Sequence, residues 1–100
     1  MKLNLESVRA IVDKQNDKIY YVIQDLIEYL YGDGSDKWKP LKLFIKNKQP
    51  DFIRSIIQIK VVSKKDGKSY LTDVAELDGL FLIAQYATSA PMYMALSRFG

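Results

Sequence analysis

Lys64-Lys65-Asp66-Gly67-Lys68-Ser69-Tyr70-Leu71-Thr72-Asp73-Val74-Ala75-Glu76-Leu77-Asp78-Gly79-Leu80-Phe81-Leu82-Ile83-Ala84-Gln85 is the stretch that decides the fold. Asp66-Gly67 reads as a two-residue hairpin turn, because such turns need positive φ and Gly adopts it without a Cβ clash. The turn sits between Ile56–Val62 and Ser69–Leu71, two runs that suit strands. Asp73 and Glu76 then read as a capping pair, one accepting from the orphan N–H groups of a first helical turn and the other reaching back. From Val74 the apolar residues recur at Leu77, Leu80, Phe81 and Ala84, which is helical spacing. One stretch therefore predicts strand, turn, strand and a capped helix with a buried face.

Working outward, Val8–Asp13 and Lys18–Ile23 are β-branched and aromatic runs joined by the polar Lys14-Gln15-Asn16-Asp17, a second hairpin. A helix is expected from Gln24 or Asp25, with Leu26, Ile27, Leu30 and Tyr31 on its apolar face and Gly32 as its C-terminal stop. Ser35 or Asp36 is placed to cap the next helix, Lys37 to about Lys48. Pro40 is tolerable there only in the first turn. Gln49-Pro50-Asp51 breaks that helix, and Ile57, Ile59 and Val61 alternate with polar residues as in a half-buried strand. Ser89-Ala90-Pro91 is a stop and restart, leading to a short last helix with Met92, Tyr93, Leu96 and Phe99 on its apolar side. The expected architecture is α+β: one small domain over residues 1–100, in the order β-β-α-α-β-β-α-α, with two hairpins packed against four helices.

Composition removes several kinds of chemistry. The 100 residues include no Cys and no His, so thiolate zinc sites, disulfides, Cys or Ser-His nucleophiles and His-based metal sites are excluded. No metal or cofactor is expected, and no enzyme activity. A metal-dependent nuclease would have to use Asp73, Glu76 and Asp78, which helix capping and ordinary solvent exposure already explain. The N-terminus shows no signal-peptide pattern. Gly79 to Ser97 carries no charge, but its Gln, Thr, Ser and Pro residues divide it into two amphipathic pieces rather than a membrane span. A cytoplasmic location is expected.

The net charge of +3 is unevenly placed. Lys37, Lys39, Lys42, Lys46, Lys48, Arg54, Lys60, Lys64, Lys65 and Lys68 crowd the middle of the chain against only Asp51 and Asp66. Such a distribution suits a polyanion, and it equally suits a solvated lysine-rich surface. In the second predicted helix Trp38, Leu41, Phe44 and Ile45 fall on one side, and Lys39, Lys42 and Lys46 form a stripe beside them.

The chain resembles the N-terminal domain of the BRO proteins, the phage antirepressors and their relatives in large DNA viruses. The resemblance rests on Val8-Arg9, on Tyr20 to Ile27, and most specifically on Tyr70-Leu71-Thr72-Asp73-Val74-Ala75 followed by Leu80-Phe81 and Gln85. Trp38 and Leu41-Lys42 match a tryptophan and Leu-Lys pair in one prophage-borne branch. Ala90 to Leu96 departs from the basic, tryptophan-containing helix of that family, and no second effector domain is expected. The resemblance implies a DNA-binding module of mobile-element origin, without catalysis.

Two functions are therefore expected to compete. The first is a small regulator contacting double-stranded DNA through Lys37, Lys39, Lys42, Lys46, Lys48, Lys64, Lys65 and Lys68, as a dimer if it discriminates sequence. Asn47 and Gln49 are its only nearby base-reading candidates. The second is a protein-interaction module, binding a repressor, a host factor or a second copy of itself. Its interface would be Phe81, Leu82, Tyr86, Met92, Tyr93 and Phe99, because the apolar residues of the helix from Leu80 surround it more fully than one core face needs.

Overall fold

Two hairpins overlap at only two rungs, and the shape of the molecule follows from that. The structure, a computed structural model, describes residues 5–89. A short 3-10 turn, Leu5–Ser7, leads into β1 (Ala10–Asp13), β2 (Lys18–Val22), α1 (Ile23–Tyr31) and α2 (Trp38–Lys48). A 3-10 segment, Pro50–Ser55, precedes β3 (Ile56–Val62), β4 (Ser69–Ala75) and α3 (Leu77–Thr88). The fold is α+β, with one four-stranded antiparallel sheet in the order β1-β2-β4-β3. The helix expected from Pro91, with Met92, Tyr93 and Phe99, lies outside the described residues.

β2 meets β4 only through Tyr21–Ala75 and Val22–Val74. Beyond Val22 the chain turns directly into α1, so among the described residues β4 from Ser69 to Asp73 has no strand neighbour on that side. The N-terminal end of α2 fills the gap. Trp38 is buried there, and its indole N–H donates to Asp73 at 2.9 Å.

Side chains alternate across the sheet. Tyr21, Ala75 and Ile56 lie on the face covered by helices, in the core formed by Ile23, Leu26, Ile27, Leu41, Ile45, Phe52, Leu80, Ile83 and Ala84. The opposite face carries its own small core, Val22, Val61 and Val74, with Ile11, Tyr20, Ile57 and Ile59 packed against it. That second core exists because the sheet rolls. Arg9, just before β1 at one edge, donates from Nη1 to the carbonyl of Val62 at the end of β3, the opposite edge, at 2.6 Å.

Three expectations are corrected. Asp73 does not cap a helix: β4 runs on to Ala75, because the ladder with β3 continues through Gln58–Asp73, Ile57–Val74 and Ile56–Ala75. α3 begins at Leu77, with Glu76 as its N-cap and no side-chain capping bond. The β3–β4 connection is also longer than a two-residue turn. Ser63 N–H donates to the Lys68 carbonyl and Gly67 N–H to the Ser63 carbonyl, with Gly67 at φ +74°. Neither Ser35 nor Asp36 caps α2, whose N-cap is Lys37. The Ser35 hydroxyl accepts instead from the Lys37 N–H. Pro40 does fall in the first turn of α2, where its missing N–H breaks no helical bond.

Candidate nucleic-acid interface

A cleft of about 770 Å³ opens between α1, the start of α2 and the rolled β3–β4 hairpin. Val22 and Val61 give it an apolar floor, and Trp38, Tyr70 and Thr72 contribute further lining. Its cations are Arg9, Lys39, Lys64 and Lys65, and its acids Asp25, Glu28 and Asp36. Residues far apart in sequence thus share one opening: Lys39 from the basic helix, Lys64 and Lys65 from the hairpin turn.

Two carboxylates organise the charges around this opening. Asp25, in the first turn of α1, is buried and accepts from the Arg9 backbone N–H at 3.0 Å and from Arg9 Nε at 2.8 Å. Its other oxygen meets Arg9 Nη2 at 3.2 Å and Lys64 Nζ at 3.1 Å. Lys64 also lies 3.7 Å from Glu28, so the hairpin turn is tied to α1. Burial pushes the Asp25 carboxyl up, yet the bonds from Arg9 and Lys64 outweigh it and hold the group below the usual carboxylate range.

Asp73 is the second hub. It takes three donors, two from α2 and one from β3: Trp38 Nε1 at 2.9 Å, Lys42 Nζ at 2.9 Å and Gln58 Nε2 at 3.0 Å. Burial again opposes ionisation, and Lys42, Trp38 and Gln58 again overcome it, so this carboxyl is also held low. On the hairpin turn, Asp66 is held low by the Tyr70 hydroxyl and by the Lys68 backbone N–H.

The eight lysines expected at an interface now separate by surroundings. Lys42 and Lys64 are ion-paired to buried or nearly buried carboxylates, so much of their charge is already answered within the fold. Lys37 is the half-buried N-cap of α2. Lys39, Lys46, Lys65 and Lys68 are exposed, and none is in an ion pair with another described residue. Helical spacing sets Lys39 and Lys46 on the same side of α2 as Lys42, facing out next to the β3–β4 ribbon. Lys48 lies elsewhere on that helix, its ammonium 5.5 Å from the centre of the Phe44 ring, which in turn packs edge-on against Tyr86 of α3. Lys60, omitted from the expected set, is exposed at the middle of β3. The Ile59–Lys60–Val61 alternation was the signal that it faces away from the small core.

Among the base-reading candidates, Gln49 donates to the Tyr86 hydroxyl at 2.8 Å, and Asn47 is exposed. Of the described residues expected at a protein interface, Leu82 and Tyr86 pack against the core and Phe81 is 43% exposed. The three carboxylates a nuclease would need are each engaged separately: Asp73 as above, Glu76 with Lys18 at 3.4 Å, and Asp78 with the Gly79 N–H at 2.9 Å. Among the described residues no group of three or more acidic side chains is placed to hold a metal, and no helix is long and apolar enough to cross a membrane. No protein-family model, curated protein or solved structure matches the chain.

Proposed function

We propose that this chain is a small, non-catalytic DNA-binding regulator of the BRO N-terminal kind, working in the cytoplasm on phage or mobile-element DNA. It holds the phosphate backbone between α2 and the β3–β4 hairpin. The observation that carries the reading is the placement of Lys39 and Lys65, neither in an ion pair with another described residue, around one cleft, with Lys46 and Lys68 exposed on the same two elements. Ammonium groups without an internal counter-ion bind phosphates by releasing condensed cations, whereas Lys42 and Lys64 would first have to leave Asp73 and Asp25. The working contacts are therefore Lys39, Lys46, Lys65 and Lys68, with Lys60 added. Lysines position a protein on DNA without reading bases, so a monomer discriminates sequence weakly.

The test is a salt titration of binding to a random-sequence duplex, comparing the native chain with Lys39→Glu/Lys46→Glu/Lys65→Glu. This variant spares the two lysines that hold the fold together. The native chain should bind at low salt, and each lost phosphate contact should flatten the log–log salt slope by about 0.9. Absence of binding by the native chain at any salt refutes the proposal. Equal binding by the folded variant would remove these lysines from the interface. A second reading, a module that binds another protein, draws on Leu77 and Phe81, one helical turn apart and 38% and 43% exposed. It gains if DNA binding is absent.

A further inference from the structure

We infer that the gap between β4 and the start of α2 is a docking groove for an extended acidic peptide, which adds to β4 as an antiparallel strand opposite Leu71. The inference does not depend on the DNA reading. Ser63 N–H donates to the Lys68 carbonyl, which makes Ser63–Lys68 a hydrogen-bonded pair at the end of the β3–β4 ladder. Val61–Tyr70 and Ile59–Thr72 follow as bonded pairs. Leu71 therefore turns its N–H and C=O away from β3, toward the side that β2 leaves at Val22. Among the described residues no hydrogen bond meets those two groups. Trp38 closes the gap at the Asp73 end. Beside Tyr70 and Thr72 it stays open as the cleft, with Trp38, Lys39 and Pro40 of α2 as the other wall. A free strand edge facing a helix across an apolar-floored groove is a recurrent seat for a peptide strand.

The occupant follows from what the groove leaves unanswered. Arg9 and Lys64 are engaged by Asp25, Glu28 and the Val62 carbonyl, and Glu28 also takes the Gly34 N–H. Lys39 and Lys65 line the cleft, Lys60 is the rung partner of Leu71, and Lys68 precedes β4. None of these four is in an ion pair with another described residue, and the one cleft carboxylate equally free of such a pair is Asp36. Charge complementarity therefore selects an acidic partner. A DNA backbone would answer these ammonium groups but offers no N–H to the Leu71 carbonyl, whereas an acidic peptide answers both. In the added strand, the residue opposite Leu71 points to the face of Leu71 and Lys60. Its two neighbours point to the face of Val61, Tyr70 and Thr72, over the apolar floor. The complementary sequence alternates acidic and apolar residues.

The probe is a fluorescein-labelled peptide, acetyl-Asp-Val-Glu-Val-Asp-amide, titrated with the whole chain at low salt and read by fluorescence anisotropy. It should bind with a dissociation constant below about 1 mM, and its Lys-Val-Lys-Val-Lys counterpart should not bind. N-methylation of the central Glu removes the donor to the Leu71 carbonyl and should weaken binding about tenfold or more. N-methylation of the second Val, whose N–H points away from β4, should weaken it less than about threefold. Leu71→Pro deletes an outward N–H without breaking a bond to β3, and should weaken the peptide about tenfold where Leu71→Ala does not. If Leu71→Pro does not fold, the two N-methyl peptides on the native chain decide. No binding by the native chain up to about 1 mM, equal binding of the lysine peptide, equal loss with either N-methyl peptide, or a folded Leu71→Pro that binds as the native chain does would each overturn the inference. Duplex binding without peptide binding overturns it and leaves the proposed function standing, and peptide binding without duplex binding does the reverse.

Discussion

Asp73 has 12% of its side chain exposed and satisfies an indole, an ammonium and an amide. Replacing it by Ala leaves the buried Trp38 N–H without an acceptor, and such a loss costs about 2–3 kcal/mol. Lys42→Met should cost less, about 1 kcal/mol or below, because that side chain is a third exposed and its loss leaves Asp73 two donors. Urea unfolding of the two variants, measured at neutral pH, checks the ranking. Asp25 and Asp73 also set the acid response. Both native carboxyls sit lower than in the unfolded chain, where the ordinary aspartate value is about 3.9. The unfolded state therefore takes up protons first as pH falls. Their contribution is complete above the unfolded value and drains away as pH drops through the lower native values. The melting temperature should be flat with respect to these groups above about pH 5 and fall below about pH 4. Asp73→Asn should make that fall shallower, and an unchanged acid slope would count against the hub.

At the scale of elements, the β3–β4 hairpin depends on Gly67 and on its tie to α1. Gly67 has φ +74° with open space where a Cβ would stand, so Gly67→Ala meets backbone strain alone, about 1–2 kcal/mol. Gly79 is a different case: a Cβ there would lie 3.2 Å from the Ala75 Cβ, so the first turn of α3 sits directly on the end of β4. Asp25→Ala removes the group that gathers Arg9 and Lys64. It should cost about 2–3 kcal/mol. Hydrogen exchange should accelerate first at Val61, Val62 and Ser69 of the hairpin rather than in α3, because those strands end at the released tie. Uniform acceleration would show that Asp25 stabilises the fold without anchoring that element.

For the whole molecule, rolling of the sheet brings a basic helix and a basic turn to one cleft and also neutralises two of their lysines. Charge-reversal variants should therefore divide into two groups. Lys39→Glu and Lys65→Glu should weaken polyanion binding with little loss of stability, while Lys64→Glu should lower stability by turning a carboxylate pair into a repulsion with Asp25 and Glu28. Thermal melts and salt titrations on the same three proteins separate the effects. If Lys64→Glu melts like the native chain, the tie between hairpin and helix contributes nothing measurable.

The strands at Lys18–Val22 and Ile56–Val62, the helices ending at Tyr31 and Lys48, and the absence of thiol and imidazole chemistry were all legible in the sequence. They rest on local matters: side-chain period, β-branching, a glycine stop, residue type. Asp73 was not legible in the same way. Its spacing to Glu76 fits a helix cap as well as any, and only the ladder with β3 and the arrival of Trp38, Lys42 and Gln58 made it a strand residue and a hub. The same holds for Lys42 and Lys64. Sequence supplies the charge, but which charge meets an internal carboxylate and which faces solvent is set by contacts between residues tens of positions apart. Local preferences carry no information about those distances, and the tertiary structure decided them.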